Sequence, residues 1–121
     1  MKILMMGTGT FAEPTFQALL HSRHTVLGLV TNPDRPSGKA MEMERPIKKL
    51  ALQAGLPVFQ PENINAPGSV AELEQRFQPD IYVVAAYGRI LSSRVLQIPA
   101  RGGINVHSSL LPKYRGAAPI A

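Results

Sequence analysis

Five short apolar runs punctuate this chain, and helical patterns or Pro/Gly-rich loops separate them. Lys2–Met6, Val26–Val30, Pro57–Gln60, Asp80–Tyr87 and Ile104–His107 read as strands. Val26–Val30 is nearly all apolar, as a strand covered on both faces should be. After the first run, Thr10-x-x-Glu13 fits a capping box, and Phe16, Leu19 and Leu20 form a helical stripe. Pro14 belongs in that helix's first turn, since deeper it would remove a hydrogen bond. A second helix is expected from Pro46, a favoured first position, to Gly55, a favoured stop. Ser69-x-x-Glu72 fits another capping box, with Val70, Leu73 and Phe77 on one face, and Ser92–Leu96 reads as a short helical turn. Strands alternating with helices imply parallel pairing through right-handed crossovers. The expected class is α/β: a Rossmann-like open, mainly parallel sheet flanked by helices.

At 121 residues the chain allows one domain, and it shows no internal repeat or linker. No run approaches the roughly 18 apolar residues of a membrane span. The opening MKILMMG is cut short by Gly7-Thr8-Gly9 and Glu13, so it reads as a buried first strand rather than a leader. No membrane partner is expected. The absence of cysteine rules out disulfides, thiolate nucleophiles and thiolate zinc sites, and it is compatible with the cytoplasm. His21 and His24 lie three apart near a helix end with no third ligand in view; they read as surface residues, and no metal site is expected.

In open sheets of this kind, ligands bind beyond the carboxyl ends of the strands. Gly7–Phe11, Thr31–Lys39, Tyr87–Leu91 and His107–Pro112 should line that edge. Charge points the same way. Residues 1–80 hold eight Lys/Arg and eight Asp/Glu, so the net +5 resides in Arg89, Arg94, Arg101, Lys113 and Arg115. A one-signed patch beside a site attracts an anionic substrate.

The last strand carries Asn105 and His107. Side chains alternate along a strand, so these two point the same way, about 6.6 Å apart. Two polar groups on one face are costly to bury without partners and suit a strand end that opens into a cleft. An amide NH2 can donate to a carbonyl oxygen as negative charge develops there. An imidazole can add a second hydrogen bond or move a proton. That chemistry belongs to acyl-type transfer, where losing one such donor costs about 3–4 kcal/mol of transition-state stabilisation. Pro112, just past Leu110 and Leu111, would stiffen the loop that holds the pair.

HSSLLPKYRGAAPI resembles the signature N-x-H-x-S-L-L-P of the folate-dependent formyltransferases. GTGTFAEPTFQALL, TNPDRPSGK, GLPVFQP and AAYGRIL are also similar to segments of that family, in order along the chain. The resemblance is greatest to the members whose acceptor is initiator methionyl-tRNA. It implies transfer of a formyl group from 10-formyltetrahydrofolate to the α-amino group of that methionine. By motif, Asn105 would hold the formyl oxygen, and His107 would assist proton transfer from the attacking amine. Tyr87, Gly88, Arg89, Ile90 and Leu91, with Ser109, Leu110, Leu111 and Pro112, would bind the folate. Gly9, Phe11, Arg35, Lys39 and Arg115 would lie on the tRNA and methionine side.

The chain departs from the family in two respects. Glu42 and Glu44 sit in a loop that is usually more basic. The family's third catalytic residue, an aspartate further downstream, has no counterpart, since no acid follows Asp80. The 121 residues are therefore expected to form the N-terminal part of a formyltransferase catalytic domain, without the C-terminal tRNA-binding domain, and to be inactive alone. Two alternatives stand. One is a different acceptor amine, on glycinamide ribonucleotide or an amino sugar nucleotide. The other is a dinucleotide-binding module, because Gly7-Thr8-Gly9-Thr10-Phe11-Ala12 fits G-x-G-x-x-G/A. That fingerprint wants an acid ending strand two, where Thr31-Asn32-Pro33 stands instead.

Overall fold

The computed structural model describes residues 1–34 and 45–107, together with the backbone of 117–120. Six strands form one sheet in the order β3-β2-β1-β4-β5-β6. They are β1 (Lys2–Gly7), β2 (Thr25–Val30), β3 (Val58–Phe59), β4 (Ile81–Ala85), β5 (Gly103–Val106) and β6 (Ala117–Ile120). The first five pair parallel; β6 runs antiparallel beside β5, with Asn105 opposite Ala118. The parallel core and its crossovers follow the sequence reading. The antiparallel sixth strand does not, since a four-residue AAPI run containing a proline carries little strand signal.

The alternation of side chains along β1 sorts the core into two layers. Ile3 and Met5 pack with Leu29, Ile81 and Val83 beneath Phe16 of α1 (Ala12–Leu20) and Ile47 and Ala51 of α2 (Pro46–Gln53). Leu4 and Met6 face the other way, against Val30, Tyr82, Val84, and Val70 of α3 (Pro67–Glu72). A π-helical turn, Leu73–Phe77, extends α3 and adds Leu73 and Phe77 to this second layer. Each fully buried side chain of this size contributes about 1.5–3 kcal/mol of transfer free energy. The two layers therefore fix β1 and β4 as the rigid centre from which the site is built.

Neither expected capping box forms. Helix α1 begins one residue after Phe11, with no side-chain cap; Ala12 N–H donates to Gly9 O (3.0 Å) and Glu13 N–H to Thr10 O (3.1 Å). The tight turn thus meets the first amides with backbone carbonyls, which leaves Thr10 no capping role. Helix α3 begins at Pro67, ahead of Ser69, because proline's fixed φ suits a first helical position. Ser69 lies inside the helix and donates its hydroxyl to Asn63 O (2.7 Å). The short helix α4 (Ser93–Leu96) does carry a side-chain cap, Ser92 Oγ accepting from Val95 N–H (3.2 Å). Among the described residues, no helix is long and apolar enough to cross a membrane.

Candidate active site

The carboxyl ends of β1, β4 and β5 surround an open cleft of about 630 Å³. Phe11 lies on one side, the loop after β4 on another, and Asn105, Val106 and His107 along the third. Val84 and Ala86 form part of the lining, and Leu96 of α4 closes one wall.

The loop after β1 is tied inward. Thr8 N–H and Gly9 N–H both donate to Ala86 O, at 3.0 and 3.1 Å. Thr8 Oγ1 lies 3.1 Å from Thr31 Oγ1 and accepts from Asn32 N–H at 3.1 Å. Asn32 Nδ2 then donates to Tyr87 O at 2.8 Å. The amides that would cradle a pyrophosphate are thus already bonded to protein. Gly9 serves this tie rather than the cleft lining, whereas Phe11, 38% exposed, does line the cleft. Beyond β2, the first acid is Asp34, and it too is engaged. Lys48 Nζ donates to it at 2.7 Å and Gln60 Nε2 at 3.2 Å. The Lys48 hydrogen bond, foremost among the causes, holds the Asp34 carboxyl below its usual range. These engaged groups leave the dinucleotide reading without its phosphate cradle or its ribose acid.

The loop after β4 differs. β4 stops at Ala85 because Ala86 takes a left-handed conformation (φ 51°), so Tyr87 lies outside the strand. Gly88 follows at φ 79°. Tyr87 is only 2% exposed and belongs to the core layer, and its hydroxyl has no partner among the described residues. Burial pushes its phenol up. Arg89 donates from Nη1 to Glu62 O (2.8 Å), which pins its guanidinium at the cleft wall. Ile90 is 87% exposed, an apolar side chain standing in water at the mouth.

Asn105 and His107 do share a face. Asn105 Nδ2 lies 3.4 Å from His107 Nε2, with the amide donating and the ring nitrogen accepting. Both groups are half-buried. The structure therefore brings together Phe11, Tyr87, Gly88, Arg89, Ile90, Leu91, Asn105 and His107 around one cleft. Arg94 instead pairs with Glu74, so its charge is compensated away from the cleft. Arg35, Lys39, Ser109, Leu110, Leu111, Pro112 and Arg115 lie outside the described residues, as do Glu42, Glu44 and Lys113. His21 and His24 engage Gln17 O and the chain's amino terminus, and the described residues hold no group of three or more His, Cys, Asp or Glu able to bind a metal. The sequence reading missed Asn65, which reaches the β4 loop from the turn before α3. Its signal was the Asn63-x-Asn65-Ala66-Pro67 run, an Asx turn leading into a helix.

Comparison with known proteins adds to this geometry. The chain is 49% identical over 121 residues to a methionyl-tRNA formyltransferase of Alkaliphilus oremlandii, and 50% over 120 residues to one of Magnetococcus marinus. These matches cover 99% and 98% of this chain but 39% and 38% of the relatives, so it spans well under half their length. Among solved structures, a phosphoribosylglycinamide formyltransferase of Anaplasma phagocytophilum overlays with a TM-score of 0.66 at 18% identity, covering 96% of this chain and 53% of that one. A formyltetrahydrofolate deformylase of Pseudomonas putida overlays at 0.61 and 21% identity, covering 95% and 40%. At such identities the overlays speak for the fold alone. The formyl transferase family profile matches residues 1–121 throughout, and the chain belongs to that family.

Proposed function

We propose that this chain forms the folate-side, N-terminal part of a catalytic domain that moves a formyl group from 10-formyltetrahydrofolate to the α-amino group of initiator methionyl-tRNA. One observation carries the reading: an amide and an imidazole lie 3.4 Å apart on the wall of a cleft that Phe11, Leu91 and Leu96 also line. The cleft suits such a donor. Its volume falls in the range of small-molecule sites, and Phe11, Leu91 and Leu96 offer apolar surface to a flat heterocycle while a few polar groups orient it.

In this reading Asn105 Nδ2 donates to the formyl oxygen as it gains charge. His107 accepts at Nε2 the proton that the attacking amine loses. The new bond joins the acceptor nitrogen to the formyl carbon, and the bond from that carbon to the folate nitrogen breaks. His107 then returns the proton to the departing nitrogen. Arg35, Lys39 and Arg115 would contact the acceptor end of the tRNA, and such phosphate contacts weaken as salt rises. The names of the curated relatives favour this acceptor over glycinamide ribonucleotide, which the more distant structures take. The acceptor places the reaction in the cytoplasm.

The test is single turnover by the whole protein with 10-formyltetrahydrofolate and each acceptor amine. Formylation of methionyl-tRNA should exceed that of glycinamide ribonucleotide and of an amino sugar nucleotide. Asn105→Ala and His107→Ala should each lower the rate about 10²–10³-fold while folate affinity holds. Rates within twofold of wild type in both variants would remove the reading.

A further inference from the structure

The cleft's fourth-strand loop is held by a residue that touches none of the reacting groups. Asn65 Nδ2 donates to Ile90 O at 2.9 Å, and Asn65 Oδ1 accepts from Ser92 N–H at 2.9 Å. One planar amide thus takes the carbonyl of one residue and the N–H of the second residue along. That is how a neighbouring strand engages an extended segment. Ser92 has the extended backbone this requires (φ −71°, ψ 162°). In such a segment the residue between turns its own N–H and C=O to the opposite edge. Here that residue is Leu91, a lining residue of the cleft. The backbone groups of Arg89 and Leu91 have no partner among the described residues.

Asn65 is itself fixed. Its N–H donates to Asn63 Oδ1 (2.9 Å), and Asn63 O accepts from Ser69 Oγ (2.7 Å) and Ala66 N–H (3.1 Å). Ile64, between them, is 2% exposed and anchored in the core layer beneath. A second tie runs from the same turn, Arg89 Nη1 to Glu62 O. The loop is therefore gripped from the α3 side at two points. In their trans peptide planes, Leu91 N–H lies opposite Ile90 O and Leu91 C=O opposite Ser92 N–H, so both point away from Asn65.

We infer that Asn65 is a positioning residue for the donor cosubstrate: its side-chain amide stands in for a missing strand and so turns the Leu91 backbone groups toward the ligand. The inference rests on the proposed folate reading. It adds that the aim of this loop is set by Asn65, a residue outside the cleft lining. A merely structural Asn65 would support the start of α4 and leave folate recognition alone.

The experiment uses the whole protein as wild type, Asn65→Ala and Asn65→Asp. The aspartate keeps the acceptor for Ser92 N–H but loses the donor to Ile90 O, and it guards against a poorly folded alanine variant. Amide exchange at Ser92 and the affinity for a non-transferable 10-formylfolate analogue are measured, along with KM for each substrate. Faster Ser92 exchange is expected in Asn65→Ala, with folate KM and Kd raised roughly tenfold in Asn65→Asp, which loses one hydrogen bond, and at least as much in Asn65→Ala, which loses both. KM for the tRNA acceptor should stay within twofold. Unchanged Ser92 exchange in Asn65→Ala, or loss of melting temperature with folate affinity intact, overturns the positioning role. Failure of the wild type to bind the analogue overturns the folate reading itself, and the inference with it.

Discussion

The loops that follow β1 and β4 lie side by side at one edge of the sheet, and their hydrogen bonds run in opposite senses. After β1, the amides of Thr8 and Gly9 turn inward to Ala86 O. After β4, the loop is tied to Asn32, Asn65 and Glu62, and the Leu91 backbone groups point away from Asn65. The loop that looks like a nucleotide cradle is bonded to the protein itself, and the loop without a phosphate signature is the one we propose as the ligand surface. A glycine pattern reports that the backbone comes close to something; the partner can be the protein itself.

The sharpest way to break this contrast is a pair of glycine substitutions. A Cβ on Gly7 would lie 2.6 Å from Ala85 O and 2.8 Å from Ala12 Cβ, both unable to yield cheaply. Gly7→Ala should cost about 3 kcal/mol or more in chemical denaturation and leave folate KM unchanged for the folded fraction. Gly88 stands in open space at φ 79°, so Gly88→Ala should cost only about 1–2 kcal/mol while raising folate KM several-fold. If Gly7→Ala altered folate binding and Gly88→Ala did not, the two loops would have exchanged roles.

A smaller effect separates two tyrosines. Tyr82 donates its buried hydroxyl to Val95 O at 2.8 Å, whereas the Tyr87 hydroxyl has no partner among the described residues. Tyr82→Phe should destabilise by about 1 kcal/mol, because a buried hydrogen bond is lost although Val95 O keeps its bond from Ile98 N–H, and Tyr87→Phe should be neutral or stabilising. Burial raises both phenols above their usual range. A raised folded value means that the stability contribution is complete below about pH 10 and is lost as pH rises beyond it. Thermal melts between neutral and alkaline pH should therefore show a decline that each Phe variant partly removes.

The smallest expected effect lies at Asp34. Its carboxyl is held below the usual range by Lys48, so its contribution is present above about pH 4 and lost as pH falls further. Asp34→Asn should cost less than about 1 kcal/mol at neutral pH, as for other exposed pairs, and should flatten the acid limb of a melting curve. Isothermal titration should show no heat with a dinucleotide in either protein; a clear signal in the wild type alone would revive the dinucleotide reading.

Most of the scaffold was legible because its signals are local. Apolar runs such as Lys2–Met6 and stops such as Gly55 belong to single elements, and the structure places strands and helices there. Asn105 and His107 were legible because alternation along one strand fixes their common face. The capping boxes at Thr10 and Ser69 were local patterns overruled by neighbours: a backbone turn in one case and Pro67 in the other. Asn65 and the compensation of Arg94 by Glu74 join segments far apart in sequence, and no local pattern encodes such partners. β6 pairs through its backbone with β5, so its residues carry almost no trace of it.

One oxygen, that of Ala86, receives two amides from a segment remote in sequence. The pair of loops is therefore one mechanical body sharing a single joint. Changes on either side of that joint would not sum as independent events, and a tolerated substitution at Gly9 would depend on what residue 86 already is. Lineages carrying this cleft should exchange those two positions together or leave both alone.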